Sequence, residues 1–440
     1  MFGTSGIRGA VGEAVTADLA LSVGRALGTE TDRVVVGRDP RESGEFLLDA
    51  LAAGLRETGT DVLDLGLAAT PTVARAVGWE DCDAGVSVTA SHNPPPDNGF
   101  KLWQPSGLAF DAPRRERITE RVENEDWTLE RWDGLGSREA ASATERHVEA
   151  LIDAVAFGDR DPPHVVVDVG NGAGGVTVEA LSRLDCRVET LNATPDGRFP
   201  GRPSEPTAEN CTSLAALVRE SDADLGVAHD GDADRMRAVA HDGTFLSGDV
   251  LLAVLAAAST SAGDRVAVPV DTSLAVEDYL ADRGVETTRT PVGDVHVAAE
   301  VAAGAAFGGE PSGAWIWPAE TLCPDGPLAG VRLAELAVAR PLAERVAEVP
   351  TYPIRRDSFG TTDKRAVMER TRETVIGRYD DVSTMDGVRV DTGDGWFLLR
   401  ASGTQPLVRV TAEARDPARA DDLFATARSL VTEAGAGSDG

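Results

Sequence analysis

Short valine-rich runs alternate with longer alanine- and leucine-rich segments through the first two-thirds of the chain, and this alternation restricts the possible folds strongly. Each apolar run is continuous and is followed by a polar or glycine-rich stretch, as is typical of buried parallel strands. The runs occupy residues 34–36, 84–88, 165–169, 225–228 and 266–270. We therefore expect α/β layers built on parallel or mixed sheets.

The segments between these runs have the composition of helices, and the C-terminal part follows another pattern. Residues 44–55, 140–156, 178–184 and 250–258 predict helices. After a proline-containing linker, short apolar runs separated by turns predict antiparallel strands, and a last helix follows. These strands cover residues 388–391, 396–400 and 408–412, and the helix covers residues 417–433.

The charge balance is strongly acidic. There are 73 acidic and 42 basic residues, which gives a net charge of −31 at pH 7. A charge of this sign repels nucleic acid and anionic membranes, so we expect neither as a partner. It is typical of a solvated surface suited to high salt, as in halophilic proteins, because counter-ions screen the self-repulsion. A surface that binds cations or a basic partner is the alternative.

Cysteine spacing and the lack of long apolar runs indicate the compartment. The four cysteines have no C-x-x-C spacing, which argues against a structural zinc site and for a reducing environment. No apolar run approaches the ~18 residues of a membrane-spanning helix, and no charged-then-apolar leader is visible. We therefore expect a cytoplasmic protein. The cysteines are Cys82, Cys186, Cys211 and Cys323.

A serine follows the second apolar run in the sequence TASHNP, residues 89–94. Three prolines follow Ser91, and because proline fixes φ, the loop can hold one hydroxyl in place. Lys101, one of only two lysines in the chain, lies ten residues further on. A lysine beside a phosphate on Ser91 can neutralise charge or, if its pKa is lowered, exchange protons. A turn with a structural serine is the alternative.

Three carboxylates occur at alternating positions in the sequence DGDADR, residues 230–235, directly after another apolar run. Asp230, Asp232 and Asp234 would repel one another without a cation, and hard oxygen ligands suit Mg²⁺ or Ca²⁺. Since Mg²⁺ usually takes few protein carboxylates together with a phosphate oxygen, a phosphorylated Ser91 could complete the site. Arg235 would then have an anionic partner. A solvated acidic turn is the alternative.

Three further loops carry weaker signals. The sequence GGEPSG, residues 308–313, offers Glu310 and Ser312 as hydrogen-bonding groups on a glycine-rich loop. The sequence RASGTQP, residues 400–406, has an arginine, two hydroxyls and a glycine, which together with Arg409 make a compact anion site. Arg8 lies between glycines near the start of the chain. Plain turns, or a flexible tail for Arg8, are the alternatives.

One motif points to another class of protein. The sequence GNGAGG, residues 170–175, follows an apolar run and satisfies the G-x-G-x-x-G pattern of dinucleotide-binding proteins, with Glu189 near the position of a ribose-binding acid. The pattern is short and leaves Ser91 and the three aspartates unexplained. We interpret it as a tight strand-to-helix turn and keep nucleotide binding as the alternative.

Taken together, these loops resemble those of the α-D-phosphohexomutase family, which includes phosphoglucomutases, phosphomannomutases and phosphoglucosamine mutases. Their order along the chain also resembles the family's: serine loop, metal loop, sugar loop, phosphate loop. The resemblance implies three similar α/β domains with mixed sheets and a smaller C-terminal α+β domain, around a central cleft. We expect these domains at residues 1–137, 138–241, 242–348 and 349–440.

The resemblance also implies a role for each residue. Ser91 would carry the phosphate and, with the three aspartates, hold one Mg²⁺. His92, Arg8 and Arg235 would line the site, and Lys101 would act as general acid or base. The remaining matches would bind the substrate: Gly293 and Asp294 in a specificity loop, Glu310 and Ser312 on the sugar, and Arg400, Ser402, Gly403, Thr404 and Arg409 on the phosphate that does not react.

The implied activity is the interconversion of hexose 1-phosphate and 6-phosphate through phosphoserine and a hexose bisphosphate, in a monomer or homodimer. Two departures affect the choice of sugar: Ala314 stands where many members have histidine, and His296 stands where phosphoglucosamine mutases have tyrosine. The Arg-x-Ser-Gly-Thr-x-Pro sequence of the phosphate loop resembles that of phosphoglucosamine mutases and favours glucosamine phosphate as the substrate. Glucose, mannose or pentose phosphates are alternatives, and an NAD(P)-dependent oxidoreductase and a non-catalytic sugar-phosphate sensor are alternatives of other classes.

Overall fold

The structure, a computed structural model, describes residues 1–3, 6–361, 363–402 and 406–436. Within this part of the chain the strands form four sheets, one after another along the sequence. None of the helices described there has the length and apolar character needed to cross a membrane.

The first sheet has six strands and is mixed. Its strands are β1 (Ile7–Ala10), β2 (Arg33–Arg38), β3 (Asp61–Leu67), β4 (Ala84–Val88), β5 (Asp97–Trp103) and β6 (Arg138–Ala140). The helices between them are α1 (Ala17–Gly28), α2 (Gly44–Glu57), α3 (Thr70–Trp79) and α4 (Ala112–Asn124). The strand order is β1-β5-β4-β2-β3-β6, and β5 runs antiparallel to both of its neighbours.

The second and third sheets have four strands each and are also mixed. The second sheet has the strand order β10-β9-β7-β8. Together with its helices it forms the second unit, which consists of α5 (Thr144–Asp153), β7 (His164–Asp168), α6 (Gly175–Arg183), β8 (Arg187–Leu191), α7 (Thr212–Glu220), β9 (Leu225–His229) and β10 (Met236–Ala240). The third contains α8 (Gly248–Ser259), β11 (Arg265–Pro269), α9 (Leu274–Ala281), β12 (Glu286–Thr290), α10 (Asp294–Ala302), β13 (Phe307–Gly309), β14 (Trp315–Ile316), α11 (Gly326–Ala339) and α12 (Leu342–Ala347), with strand order β12-β11-β13-β14.

The fourth sheet is antiparallel throughout its five strands. It contains β15 (Ile354–Gly360), α13 (Lys364–Ile376), β16 (Val382–Ser383), β17 (Val388–Asp391), β18 (Gly395–Ala401), β19 (Leu407–Ala414) and α14 (Pro417–Ala436), with strand order β15-β19-β18-β17-β16. The predicted fold class, three α/β units with mixed sheets and a C-terminal α+β unit, is confirmed. The four domain boundaries remain our proposal. Strand β6, which lies at the edge of the first sheet, begins at residue 138, where we expected the second domain to start.

The continuous valine runs are strands whose two faces are both covered. In β2, Val34 and Val36 pack in one apolar cluster and Val35 packs in another, on the opposite face of the sheet. Because side chains alternate between the faces of a strand, a strand buried on both faces must be apolar at every position. Each of these five apolar runs overlaps a strand of the structure, and only Val169 and Val270 lie one residue beyond the ends of β7 and β11.

One helix prediction needs correction, and one strand and one helix of the C-terminal part were not predicted. Residues 140–156 were expected to form one helix, but β6 ends at Ala140 and α5 begins at Thr144. The three residues of β6 pair in parallel register with residues of β3, and this pairing outweighs the local preference for helix. Strand β15 and helix α13 were not predicted, because most of their residues are polar and give no apolar run.

A buried ionic cluster joins the first three units. The Asp325 carboxylate, at the N-terminus of α11, accepts hydrogen bonds from the Arg75 guanidinium of α3 at 2.8 Å and lies 3.2 Å from Nε2 of His147 in α5. Thr72 holds the other ring nitrogen of His147 at 2.8 Å. Burial opposes ionisation, but the charges of Arg75 and His147 hold the pKa of Asp325 below its ordinary value. Breaking a buried pair costs far more than breaking an exposed one.

We expect Asp325→Asn to lower the stability of the protein by ~3–5 kcal/mol, because it leaves the buried charge of Arg75 with only the more distant Glu320 carboxylate, at 3.9 Å, as counter-charge. The substituted amide still offers an oxygen to the first turn of α11, so the loss reports on the ion pair rather than on helix capping. Calorimetric unfolding at fixed high salt measures it. Arg219→Ala, which breaks an exposed pair with Glu220, is the control and should leave the unfolding temperature unchanged; an equal effect of both substitutions would contradict the prediction.

Candidate active site

Ser91 follows β4 and sits in a strained backbone conformation. Its φ is +53°, in the left-handed region that residues other than glycine rarely adopt. The Ser91 amide donates to Oγ1 of Thr89 at 2.8 Å, and the Thr89 hydroxyl donates to the Asp39 carboxylate at 2.6 Å. The serine loop, residues 89–97, is therefore tied at its start to the end of the neighbouring strand β2.

One arginine braces the rest of this loop. The Arg41 guanidinium pairs with Asp39 at 3.0 Å, and neither side chain is accessible to solvent. Its remaining nitrogens donate to four backbone carbonyl oxygens of the loop, at distances of 2.7 to 2.9 Å. Because a guanidinium presents several donors in one plane, it can fix a whole turn of backbone. The four carbonyl groups belong to Ser91, Asn93, Pro94 and Asp97.

The three aspartates lie in the loop that joins β9 to the antiparallel strand β10. Asp230, Asp232 and Asp234 are buried, and one carboxylate oxygen from each lies within 4.8 Å of those from the other two. The Oδ1 atoms of Asp232 and Asp234 are buried without a hydrogen-bond partner. Ala233 between them has a φ of +58°. A hard divalent cation fits these oxygen donors, so the triad can hold a metal ion.

Backbone and side-chain contacts hold this metal loop from three sides. The Thr70 hydroxyl, at the start of α3, donates to the Asp232 carboxylate at 2.7 Å. The Ala173 amide donates to the Gly231 carbonyl at 2.9 Å. At the start of α11, a Cβ on Gly326 would lie 2.7 Å from the carbonyl oxygen of Ala233, so only glycine allows this approach.

The serine loop and the metal loop meet directly. The Ser91 hydroxyl donates to Oδ2 of Asp230 at 2.7 Å. Burial, with the charges of Asp234 and Asp232, raises the pKa of Asp230 well above its ordinary value. Carboxylates that resist ionisation when crowded become good ligands once a cation is present. The expected proximity of the serine and the three aspartates is therefore present in the fold.

Lys101, in β5, contacts the same carboxylates. Its Nζ donates to Asp232 at 2.7 Å and also to Asp234. Burial alone would lower the pKa of Lys101, but the charges of the two aspartates raise it above its ordinary value. In this arrangement the Lys101 side chain therefore carries positive charge.

His92 and two arginines border the same space. Nδ1 of His92 lies 3.4 Å from the Ser91 hydroxyl oxygen. Burial and the charges of Arg235 and Arg8 lower the pKa of His92 to about 2, so the ring is neutral at physiological pH. Nε of Arg8, in β1, is buried without a hydrogen-bond partner. Arg235 follows the last aspartate, and the nearest carboxylate oxygen paired with it is that of Glu205, at 3.9 Å.

The sugar loop lies beside the metal loop. Arg235 forms a β-bridge with Ala314, which places residues 310–314 next to the metal loop. The Glu310 carboxylate accepts from the Gly293 amide at 2.7 Å and from the Ser312 hydroxyl at 3.0 Å. The start of α10, with Gly293 and Asp294, is thus brought to Glu310. Burial and the charge of Asp294 raise the pKa of Glu310 to about 7.

The described residues of the phosphate loop lie in or directly after β18 and in β19, which are inner strands of the fourth sheet. The Arg400 guanidinium, in β18, donates to Asp386 at 3.0 Å, and the other carboxylate oxygen of Asp386 accepts from the Val292 amide at 3.1 Å. Arg409 in β19 lies directly opposite Arg400, and Ser402 is buried. This arrangement links Arg400, through Asp386, to the segment directly before Gly293 and Asp294. Gly403 and Thr404 lie outside the described residues.

The glycine-rich turn at residues 170–175 supports the metal loop. A Cβ on Gly172 would lie 2.8 Å from the Asp230 carbonyl oxygen and 2.7 Å from that of Gly231, so the turn packs directly on the metal loop. Glu189 is engaged with Arg187 and His164, each at 3.1 Å, on the edge strand β8. The interpretation as a strand-to-helix turn agrees with this packing.

Several residues of the site were missed by sequence analysis. Asp39 and Arg41 follow the strand β2, which is the parallel neighbour of β4. Since the carboxyl ends of parallel strands share one edge of a sheet, their position is a signal that could have been used. Thr70 follows β3 at the same edge, but its partner Asp232 belongs to another sheet, which the sequence does not place against the first. Ser204, whose hydroxyl donates to the Ser91 carbonyl oxygen at 2.9 Å, lies in the long connection between β8 and α7 and gives no such signal.

Comparisons with known proteins agree with this geometry. Family models described as phosphoglucomutase/phosphomannomutase alpha/beta/alpha domains I, II and III and C-terminal domain match residues 1–129, 145–243, 247–352 and 358–429. A protein of Methanopyrus kandleri named "Probable phosphoglucosamine mutase" is 45% identical over 433 residues, covering 96% of this chain and 95% of the relative. A protein of Methanococcoides burtonii with the same name is 44% identical over 439 residues, covering 99% of each chain. The crystal structure of a phosphoglucomutase/phosphomannomutase family protein from Burkholderia thailandensis is 31% identical, with a TM-score of 0.87, covering 99% of this chain and 98% of that one.

The raised pKa of Glu310 predicts a pH-dependent loss of stability. The pKa of Glu310 is about 7 in the folded protein, whereas the ordinary glutamate pKa of 4.5 applies to an unfolded chain, so the free energy of unfolding falls as the pH rises between these values. Glu310→Gln cannot titrate and escapes this loss. We expect the variant to gain roughly 3 kcal/mol on the parent between pH 4.5 and pH 8. Denaturant unfolding of both proteins at constant salt measures the difference; a gain that does not change with pH would contradict the prediction.

Proposed function

The chain belongs to the phosphoglucomutase/phosphomannomutase family, the α-D-phosphohexomutases, and we propose that it interconverts the 1- and 6-phosphates of glucosamine. It is a phosphohexomutase, an isomerase that moves a phosphoryl group within one sugar phosphate. One observation carries the proposal: the Ser91 hydroxyl lies 2.7 Å from a carboxylate of the buried triad. A nucleophile and a cation site in contact are what phosphoryl transfer needs.

In the proposed reaction, phospho-Ser91 donates its phosphoryl group to the free hydroxyl of a sugar monophosphate. The bond from phosphorus to Oγ breaks as a bond to the sugar oxygen forms, and the proton of the sugar hydroxyl ends on Oγ, which restores the Ser91 hydroxyl. The resulting hexose bisphosphate turns over in the site, and its other phosphoryl group returns to Ser91. The strained, braced serine loop keeps Oγ in one position for both transfers, which reduces the entropy lost on reaching the transition state.

The charged groups around Ser91 suit such a transfer. Lys101, Arg8 and Arg235 bring positive charge to the space beside Oγ, where charge on the transferring group must be neutralised. Neutral His92 adds a hydrogen-bonding group without adding charge. Charge neutralisation by Lys101 is better supported than a role as general acid or base, because its pKa is raised.

We propose that one Mg²⁺ is held by Asp230, Asp232, Asp234 and an oxygen on Ser91. The support is the donor set: three buried carboxylates, two of which have an oxygen without a partner. When bound, the cation would supply Lewis-acid charge stabilisation to the phosphoryl oxygens. Arg400, Ser402, Gly403, Thr404 and Arg409 are proposed to hold the phosphate that does not react, while Gly293, Asp294, Glu310 and Ser312 hold the sugar.

Glucosamine phosphate is proposed over other sugars on two grounds. Relatives at 44 and 45% identity over nearly the whole chain carry the phosphoglucosamine mutase name. Asp294 also lies close enough to Glu310 for its charge, with burial, to raise the pKa of Glu310, and the positive charge of an amino sugar would offset this repulsion. Glucose and mannose phosphates are the second candidates, because the solved relative from Burkholderia thailandensis carries the phosphoglucomutase/phosphomannomutase name. We further propose that the protein works in the cytoplasm as a monomer or homodimer; its four free, buried cysteines suit a reducing compartment.

An activity panel at high salt tests the proposal. Glucosamine, glucose, mannose and ribose phosphates are supplied separately with a trace of the matching bisphosphate, and the product isomer is quantified. We expect glucosamine phosphate to give the highest kcat/KM, and Ser91→Ala to remove turnover of every sugar. Ser137→Ala, at an exposed serine bonded to Asp61, is the control and should retain full activity. Sugar binding without turnover would favour a sensor, and NAD(P) binding lost on Gly172→Val would favour an oxidoreductase.

Replacement of Asp232 tests the cation site. We expect Asp232→Asn to weaken Mg²⁺ binding at least about tenfold, because one charged ligand is lost from a site that depends on charge. Titration calorimetry measures the affinity directly. Asp264→Asn, in a turn far along the chain where the side chain accepts from the Ser261 amide, is the matched control. Equal affinity of both variants and the parent would contradict the assignment of the site.

A further inference from the structure

One hydroxyl lies between the serine loop and the metal loop and bonds to both. The Ser204 hydroxyl donates to the Ser91 carbonyl oxygen at 2.9 Å, and it accepts from the Gly231 amide at 2.9 Å. Ser204 is 3% exposed. Its two partners are the backbone of the serine that carries the phosphate and the backbone between the first two aspartates.

The segment that carries Ser204 is itself anchored on both loops. Arg202 pairs with Asp168 at 2.6 Å and donates to the His229 carbonyl oxygen, directly before the metal loop, at 2.6 Å. The ring of Phe199 packs under the Arg41 guanidinium, with 5.0 Å from the guanidinium carbon to the ring centroid. The segment therefore contacts Arg41, which braces the serine loop, and the backbone directly before the metal loop. Ser204 lies where the two loops meet.

We propose that Ser204 is a positioning residue for the phosphoryl transfer, which sets the distance between Ser91 and the metal loop. The inference rests on the proposed mutase function. It is carried by three facts on the same few atoms: a strained Ser91 backbone, a direct bond from Ser91 to Asp230, and one hydroxyl that bonds to both loops.

Loss of this hydroxyl would affect the two loops unequally. The Ser91 carbonyl keeps its bond from Arg41 at 2.8 Å, so the serine loop stays braced. The Gly231 amide has only the Ser204 hydroxyl as hydrogen-bond acceptor among the contacts described, and a buried unsatisfied amide is costly. The metal loop is thus expected to shift away from Ser91, and small displacements of reacting groups lower rates strongly.

The test compares three variants in the full-length protein. Ser204→Ala removes the hydroxyl, Ser204→Thr retains it, and Thr72→Val removes an equally buried hydroxyl that joins the same two units through His147, away from both loops. For Ser204→Ala we expect kcat to fall by a factor of about 10 to 100, with KM within a factor of two, because the sugar is bound by other loops. Ser204→Thr should recover most of the rate, and Thr72→Val should keep the parent kcat while lowering the unfolding temperature.

Two further readouts separate positioning from a general structural role. The rate at which a hexose bisphosphate phosphorylates the dephosphorylated enzyme, followed by mass spectrometry in a single turnover, should fall in parallel with kcat. Hydrogen exchange at the Gly231 amide should speed up in Ser204→Ala and stay slow in Thr72→Val.

An unchanged kcat in Ser204→Ala, a rise in KM that accounts for the whole loss, or an equal loss in Thr72→Val would each overturn the proposal. Failure of the proposed function would give a different result. The parent protein itself would then lack mutase activity with every sugar tested.

Discussion

The crowding of three carboxylates beside one serine hydroxyl is the constraint on which the structure depends. Asp230, Asp232 and Asp234 are buried within 4.8 Å of one another, where their mutual repulsion opposes folding unless positive charge balances it. In the structure Lys101 supplies part of that balance. The unpartnered oxygens that remain define where a cation belongs. Catalytic geometry and stability therefore place opposite demands on the same few atoms, and the surrounding units resolve them.

This demand explains why three α/β units meet at one loop. Thr70 from the first unit, Ala173 from the second and Gly326 from the third all contact the metal loop, at the starts of α3 and α11 and in the turn before α6. Helix N-termini are favourable surroundings for carboxylates, because their free amide groups carry partial positive charge. The protein is acidic overall, yet it buries its cations where they brace functional loops. Arg41 holds the serine loop and Arg202 holds the backbone before the metal loop.

The parts that sequence analysis predicted have short-range signatures. Buried strands show as continuous valine runs, and the aspartate triad shows as alternating acids in one loop, so the α/β layers and the candidate metal ligands followed from local patterns. The four-unit fold and the pairing of Ser91 with the aspartates in one site rested on the resemblance of the combined loops to a known family. The braces could not be found in this way. Ser204 reaches Ser91 across 113 residues and Thr70 reaches Asp232 across 162, and a lone hydroxyl in a loop carries no local mark of its partner. Strand β15 gave no apolar pattern because it lies at the edge of its sheet, where each of its residues is half-buried or exposed.

Two carboxylates, those of Glu310 and Asp386, link the sugar loop to the phosphate loop through neighbouring backbone amides. Glu310 accepts from the Gly293 amide, while Asp386 accepts from the adjacent Val292 amide and from Arg400. A displacement of Arg400 therefore pulls on the same turn that positions Glu310. Because the two amide groups are neighbours on one peptide segment, the fourth unit cannot move relative to the third without disturbing the sugar-facing backbone. Under the proposed assignment of Arg400 to the phosphate and of Glu310 to the sugar, Asp386 couples the two recognition events, in a site where the serine and metal loops are held by other contacts.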